Sequence, residues 1–248
     1  MEQHRIVSQA EWIEGRKAHL AREKELTRQM DQLREERRQL PWVRVDKNYV
    51  FDGPDGKVAL ADLFQGRSQL IVQHFMFGPG WKEGCIGCSF AADHVDAARQ
   101  HFEQKDISFA AVARAPYPEL AAFRKRMGWD FLFVSSHGSD FNYDYGVSFT
   151  PEQLANGEVT YNYRPEKLEG EEQPGVSVFF KNEKGEIFHT YSAYARGDEA
   201  TIGAYAYLDM APLGRNETGP NRNLGDWVKL HDRYDKDAAP SCCAAKRA

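Results

Sequence analysis

The sequence lacks the features that mark several large classes of protein. It contains no run of about 18 apolar residues, so no segment reads as a membrane-spanning helix. Nor is there an excess of positive charge. Its 32 Lys and Arg stand against 37 Asp and Glu, a formal charge of −5, which supplies no basic field for nucleic acid or anionic lipid. Gly78 and Gly80 form a Gly-x-Gly spacing that belongs to no phosphate-binding loop pattern. There is no internal repeat. Met1-Glu2-Gln3-His4-Arg5 leads into charged sequence where a secretory signal would need an apolar stretch. These absences predict a cytoplasmic protein with no nucleic-acid or membrane partner.

Cysteine is also scarce, with four residues in 248, and its distribution is informative. Cys85 and Cys88 form one close pair, Cys242 and Cys243 another, and none lies between the pairs. A secreted scaffold would spread its cysteines through a short chain. A close pair in a cytosolic setting points to redox chemistry or metal. The remaining composition, 42% hydrophobic and 28% charged, suits one large packed domain with appendages.

Along the chain, Ser8-Gln9-Ala10-Glu11 has the form of a capping box and should open a helix that Pro41 closes. Trp12, Ile13, Leu20, Leu26, Met30, Leu33 and Leu40 give this helix only a thin apolar line. It reads either as a solvated surface helix or as an arm for homodimerisation. Segments 49–51 and 57–60 flank the turn formers Asp52-Gly53-Pro54-Asp55-Gly56 and predict a hairpin. Residues 69–77 form a near-continuous apolar run, as in a central strand covered on both faces. The loop 78–84 then delivers Cys85-Ile86-Gly87-Cys88 to the head of a helix that should run to about Gln104, with Phe90, Ala91, Val95, Ala98 and Phe102 buried.

Ile107–Ala113 reads as a second strand, 119–127 as a helix ended by Gly128, and 131–134 as a third strand. The alternation implies parallel strands with right-handed crossovers. Residues 135–173 lack periodicity and read as a long insertion over the body of the domain. A final antiparallel hairpin, 176–180 with 186–191, precedes a helix over 198–210. The predicted organisation is an N-terminal helical extension over 1–41, a domain over 42–212 and a C-terminal tail over 213–248, with a mobile end.

The Cys85-x-x-Cys88 spacing at a helix start carries the chemistry. The first sulfur would face unpaired backbone donors and the positive end of the helix dipole. Those can bring a cysteine pKa from roughly 8.5 to between about 3.5 and 7.5. Cys85 is then the attacking thiolate and Cys88 the resolving thiol, one helical turn further in. Lys82 would add positive charge near Cys85, and Glu83 would oppose it. Two other readings use the same residues. A metal site would need two more ligands, drawn from Cys242, Cys243, His74 or His94, and no second CxxC completes it nearby. Buried inert thiols suit a glycine-rich loop poorly.

The order of hairpin, central strand, Trp81, CxxC and helix resembles the thioredoxin superfamily. More closely, the phrase from His74 to Phe90 (HFMFGPGWKEGCIGCSF) and that from Phe188 to Gly197 (FHTYSAYARG) resemble the bacterial thioredoxin-like family called domain of unknown function 899, over about residues 10–235. The resemblance implies an α/β thioredoxin-like fold, a central mixed sheet flanked by helices, and a dithiol–disulfide oxidoreductase. Such an enzyme needs no cofactor and no metal. Its partner is a disulfide-containing protein or a small thiol or disulfide. The alternative is a thioredoxin-fold binding or metal-carrier module whose cysteines do not turn over.

The pattern also departs from the superfamily. Thioredoxins place Trp directly before the first Cys and Gly-Pro between the two, whereas here Gly84 precedes Cys85 and Ile-Gly intervenes. Pro174 stands one residue from the register of the superfamily's cis-proline. Lys82 occupies the place where peroxiredoxins carry Thr, which argues against peroxide reduction by their route. His74 reads either as a proton carrier or as a hydrogen-bonded core residue. Arg114, at the carboxyl edge of a strand, could steady a thiolate or anion or make a plain ion pair. Trp81 would shape partner binding. Phe141, Tyr143, Tyr145 and Phe149 fit either a substrate groove or packing. Cys242-Cys243 reads as a loose end, a second dithiol that exchanges with Cys85-Cys88, or a soft-metal hand-off site.

Overall fold

The computed structural model describes residues 4–197 and 199–234, so Cys242 and Cys243 lie outside the described residues. The chain divides into two compact units, Met1–Trp42 and Val43–Ala248. The first is the helix α1 (Gln9–Arg38). Its capping box forms as the sequence predicts: the Glu11 N–H donates to Ser8 Oγ, and the Glu11 carboxylate accepts from the Ser8 N–H at 3.0 Å.

The second unit is built on one eight-stranded sheet. Its strands are β1 (Val43–Arg44), β2 (Val50–Gly53), β3 (Gly56–Ala59), β4 (Gln69–His74), β5 (Ile107–Ala113), β6 (Leu132–Ser135), β9 (Gly175–Lys181) and β10 (Ile187–Tyr194). A small separate hairpin joins β7 (Val159–Tyr161) to β8 (Arg164–Glu166). The sheet order is β1-β10-β9-β4-β5-β6-β2-β3. β4, β5 and β6 run parallel, and β9 lies antiparallel against β4. A parallel pair continued by an antiparallel hairpin, with the CxxC helix leaving the central strand, is the thioredoxin-like topology.

β4 is covered on both faces, as its apolar run requires. Leu70 and Val72 join Ala110, Val112, Val134, Phe64, Phe141 and Phe179 on one side. Phe75, Phe77, Ala111, Phe133, Phe123 and Trp129 pack on the other, with α4 (Tyr117–Met127) and its left-handed Gly128 cap. The alternation within single strands, Ala110 one way and Ala111 the other, is the period-two geometry of a buried parallel strand.

Several expectations need correction. The helix after the cysteines does not run unbroken to Gln104. α2 (Ile86–Ala92) stops, and α3 (Val95–Phe102) begins after a turn at Asp93 and His94. Side chains there bond away from the helix. The Asp93 carboxylate accepts from Trp129 Nε1 at 2.8 Å and lies 2.6 Å from His231 Nδ1. His94 Nε2 accepts from the Ala204 N–H at 3.1 Å, so its Nδ1 proton goes to the Phe90 carbonyl at 2.8 Å. Ala98, expected to be buried, is exposed. Finally, the 135–173 segment is not a structureless loop, because it holds α5 (Phe141–Asp144), α6 (Pro151–Ala155) and the β7–β8 hairpin. Within it Phe141 is fully buried in the core, and Phe149, Val159 and Tyr161 form a satellite cluster, so packing accounts for these aromatics.

Residues 213–234 pack rather than trail. α7 (Gly203–Met210) contributes Tyr205 to a cluster with Phe90, Ile202 and Val228, while Leu230, 1% exposed, inserts among the core aromatics.

Candidate dithiol site

The central strand and the helix that follows it set the two cysteines. Beyond His74 the strand direction persists, with the Phe75 N–H donating to the Val112 carbonyl at 2.9 Å and the Ala115 N–H to the Phe77 carbonyl at 2.8 Å. Met76 in this stretch holds both cysteines. Its carbonyl accepts from the Cys85 N–H at 2.9 Å, and its own N–H donates to Cys88 Sγ at 3.4 Å. Ser89 donates its N–H and its hydroxyl to the Cys85 carbonyl at 2.9 and 2.8 Å. Gln73 Nε2 donates to the Cys88 carbonyl at 3.0 Å. Glycine precedes Cys85 for a steric reason: a Cβ at Gly84 would stand 2.5 Å from Phe75 Cε1 and 2.9 Å from Phe123 Cε1.

Cys85 is the N-cap of α2, half-buried; Cys88 is buried, and the two are not joined in a disulfide. The Cys88 side chain hydrogen-bonds the Cys85 sulfur and is the main reason the Cys85 pKa drops to about 6. Burial opposes the drop, and the backbone N–H groups of Cys88 and Gly87 add to it. The backbone donors at the helix start thus act in the direction of a thiolate, but less strongly than the Cys88 side chain. Lys82 is exposed and takes no part in that lowering. Glu83 does not act as a loose negative charge either, because Arg126 and Arg233 hold it at 3.1 and 2.6 Å.

Both cysteines line a cavity of about 470 Å³ whose other walls come from residues 73–74, 174–175 and the later segments 195–205 and 215–225. Leu224 roofs the motif, 3.4 Å from where a Cβ at Gly87 would be.

The remaining residues singled out by sequence divide around this cavity. His74 and Pro174 line it. His74 is 1% exposed and sits in a hydrogen-bonded chain of 2.7 Å contacts, from its Nε2 to Ser177 Oγ, on to Ser192 Oγ, and from there to His189 Nε2. Burial first, and then His189, push its pKa down to about 3, so it is neutral at physiological pH. Among the described residues no cis peptide bond occurs, so Pro174 is trans. Its carbonyl accepts from Tyr161 Oη at 2.8 Å, and that oxygen accepts in turn from the Ala195 N–H at 3.1 Å. Trp81 and Arg114 do not line the cavity. Trp81, 40% exposed, lies against Gly78. Arg114 pairs with Glu172, 2% exposed, with Glu171 at 2.9 Å and with the Tyr143 hydroxyl, tying the 135–173 segment to the end of β5. Among the described residues no group of three or more His, Cys, Asp or Glu side chains is arranged to hold a metal ion.

Sequence reasoning missed Gln73, Ser177, Ser192, Tyr205, Arg222 and Leu224 as neighbours of the site. Ser177 and Ser192 carried a weak signal, a polar residue inside an otherwise apolar strand. The 215–225 wall carried none, since its apolar residues follow no helix or strand period.

Residues 1–234 match the model of a family described as a bacterial protein of unknown function (DUF899). The chain belongs to this family. No curated protein matches the sequence. Solved structures similar to this DUF899 chain include a cysteine-to-serine mutant of Xanthomonas campestris peroxiredoxin Q, at 12% identity and TM-score 0.44, covering 64% of this chain and 89% of that one. Another is peroxidoxin BcpB from Mycobacterium tuberculosis, at 13% identity and TM-score 0.44, covering 66% and 97%. A third is a Chlorobium tepidum protein described as a thiol:disulfide interchange protein, DsbE, at 14% identity and TM-score 0.40, covering 66% and 97%. No helix of the described residues is long and apolar enough to cross a membrane.

Proposed function

We propose that this DUF899 protein is a thiol–disulfide oxidoreductase in which Cys85 attacks and Cys88 resolves. The observation that carries the reading is the asymmetry of the pair. Cys85 sits at the helix start in the cavity with its thiolate favoured, and Cys88 is buried beside it and donates to it. At a pKa of about 6, roughly nine-tenths of Cys85 is thiolate at pH 7, against about one-hundredth at the ordinary value near 9.

The reaction balances as two exchanges. The Cys85 thiolate attacks one sulfur of a substrate disulfide, a Cys85–substrate disulfide forms, and the first half leaves as a thiolate. Cys88 then loses its proton and attacks Cys85 Sγ. The Cys85–Cys88 disulfide forms and the second half leaves. Two electrons pass from the dithiol to the substrate; the proton lost by Cys88 goes to one released half, and the other half takes its proton from solvent. A second thiol reductant restores the dithiol by the same exchange run backwards. His74 is a poor store for the Cys88 proton, since burial keeps it neutral.

Steady-state reduction of a small disulfide such as bis(2-hydroxyethyl) disulfide, with a thiol reductant in excess, tests the reading. Wild type turns over, and Cys85→Ser loses the activity while unfolding at the wild-type urea midpoint. An inactive wild type that carries a stoichiometric soft metal ion would instead make the protein a carrier.

A further inference from the structure

Cys85 is half-buried on the wall of a cavity. Residues of the later segments, among them Ala195, Tyr205, Arg215 and Leu224, supply one side of that cavity of about 470 Å³. That is the scale of a small-molecule site. An amino-acid or short-peptide disulfide suits a space of that scale, whereas the loop of a folded protein would have to be accommodated against this wall.

The wall also carries a pattern of charge. Five of the cavity's residues bear Arg or Glu side chains, and four are already engaged. Arg196 pairs with Glu199 at 2.7 Å. Arg215 pairs with Asp209 at 2.8 Å and lies 3.7 Å over the Tyr205 ring. Glu217 accepts from Trp227 Nε1 at 3.1 Å. Arg222, on the same wall, alone of the five makes no side-chain hydrogen bond or ion pair among the described residues. Its backbone is left-handed, at φ 51°, and its N–H donates to the Gly219 carbonyl at 3.3 Å. A left-handed arginine is costly for a side chain of that size and indicates a position determined by its surroundings. An unengaged guanidinium on the wall of the cavity that also holds a nucleophilic sulfur presents five donors shaped for a carboxylate.

Resting on the dithiol reading, we propose that the substrates are small disulfides that carry carboxylates, and that Arg222 binds the carboxylate of the half seated in the cavity. Arg222 binds and orients; the exchange itself stays with Cys85 and Cys88.

The test compares KM and kcat for three probes: oxidised glutathione, which bears carboxylates, neutral bis(2-hydroxyethyl) disulfide, and insulin as a protein disulfide. Wild type favours oxidised glutathione, and its KM for that probe rises with salt while the neutral probe's does not. Arg222→Gly keeps the left-handed backbone and removes the guanidinium. It raises KM for oxidised glutathione about tenfold, the loss of one charge-assisted hydrogen bond, and leaves kcat and the neutral probe unchanged. Arg222→Lys restores most of the loss. Equal effects on the acidic and neutral probes, or a wild-type preference for insulin, would overturn the selectivity and leave the dithiol reading standing. Failure to reduce any of the three overturns both.

Discussion

Removing the Cys88 thiol should raise the Cys85 pKa by an amount the site geometry sets. In the wild type that thiol is the largest influence lowering Cys85 to about 6, ahead of the Cys88 and Gly87 backbone donors. A hydrogen bond to a charged group is worth about 1.5–3 kcal/mol, and about 1.4 kcal/mol corresponds to one pH unit. Cys88→Ala should therefore move the Cys85 midpoint up by about one to two pH units, to between about 7 and 8. The helix-start donors keep it below the ordinary value near 9. At pH 7 the thiolate fraction falls from roughly 90% to between about 50% and 10%. Cys88→Ser retains a hydroxyl donor and should stay within about half a unit of wild type. The assay is the rate of iodoacetamide alkylation against pH, followed on the Cys85 peptide by mass spectrometry so that Cys242 and Cys243 do not contribute. An unchanged midpoint in Cys88→Ala would refute the reasoning, as would a wild-type midpoint near 9.

Other expectations follow from the same structure. Gly84→Ala places a Cβ 2.5 Å from the buried Phe75 ring, and should lower the unfolding free energy by about 1–3 kcal/mol in urea titrations. Arg114→Met leaves Glu172 buried without its cation and should destabilise by about 3–5 kcal/mol while leaving the Cys85 alkylation midpoint in place. Glu83→Gln, which loosens an ion pair with Arg126 and Arg233, should cost under about 1 kcal/mol and also leave that midpoint unchanged. Acidification weakens the fold through His74. Its folded pKa of about 3 lies below the unfolded value near 6.5, so between those values the unfolded chain binds the extra proton and stability falls with falling pH. The slope is about 1.4 kcal/mol per pH unit for that proton, and urea midpoints taken from pH 7 to pH 4 measure it.

Much of the fold was legible because its signals are local. The Ser8–Glu11 box, the apolar runs of β4 and β5, the Gly128 cap and the cysteine pair at a helix start each depend on residues within a turn or two of one another. What escaped was set by contacts distant in sequence. Asp93 ends α2 because Trp129 and His231 claim its carboxylate, and neither lies near it in the chain. Arg114 stands at a strand edge as a ligand-binding residue would, but Glu172, 58 residues later, occupies it. Leu224, Val228 and Leu230 pack against the domain without forming a periodic element, so the 213–234 stretch looked like a tail. The departure at Gly84 was visible as a missing Trp, yet its reason appears only with Phe75 and Phe123 in place.

The division of labour between the two sulfurs is tested most directly by trapping. Cys88→Ser and Cys85→Ser are each treated with oxidised glutathione, and the peptides are mapped by mass spectrometry without reduction. The account predicts a glutathione adduct on Cys85 in Cys88→Ser, none on Cys88 in Cys85→Ser, and an internal Cys85–Cys88 disulfide in wild type. An adduct on Cys88, or a wild type that forms no Cys85–Cys88 bond, would contradict it.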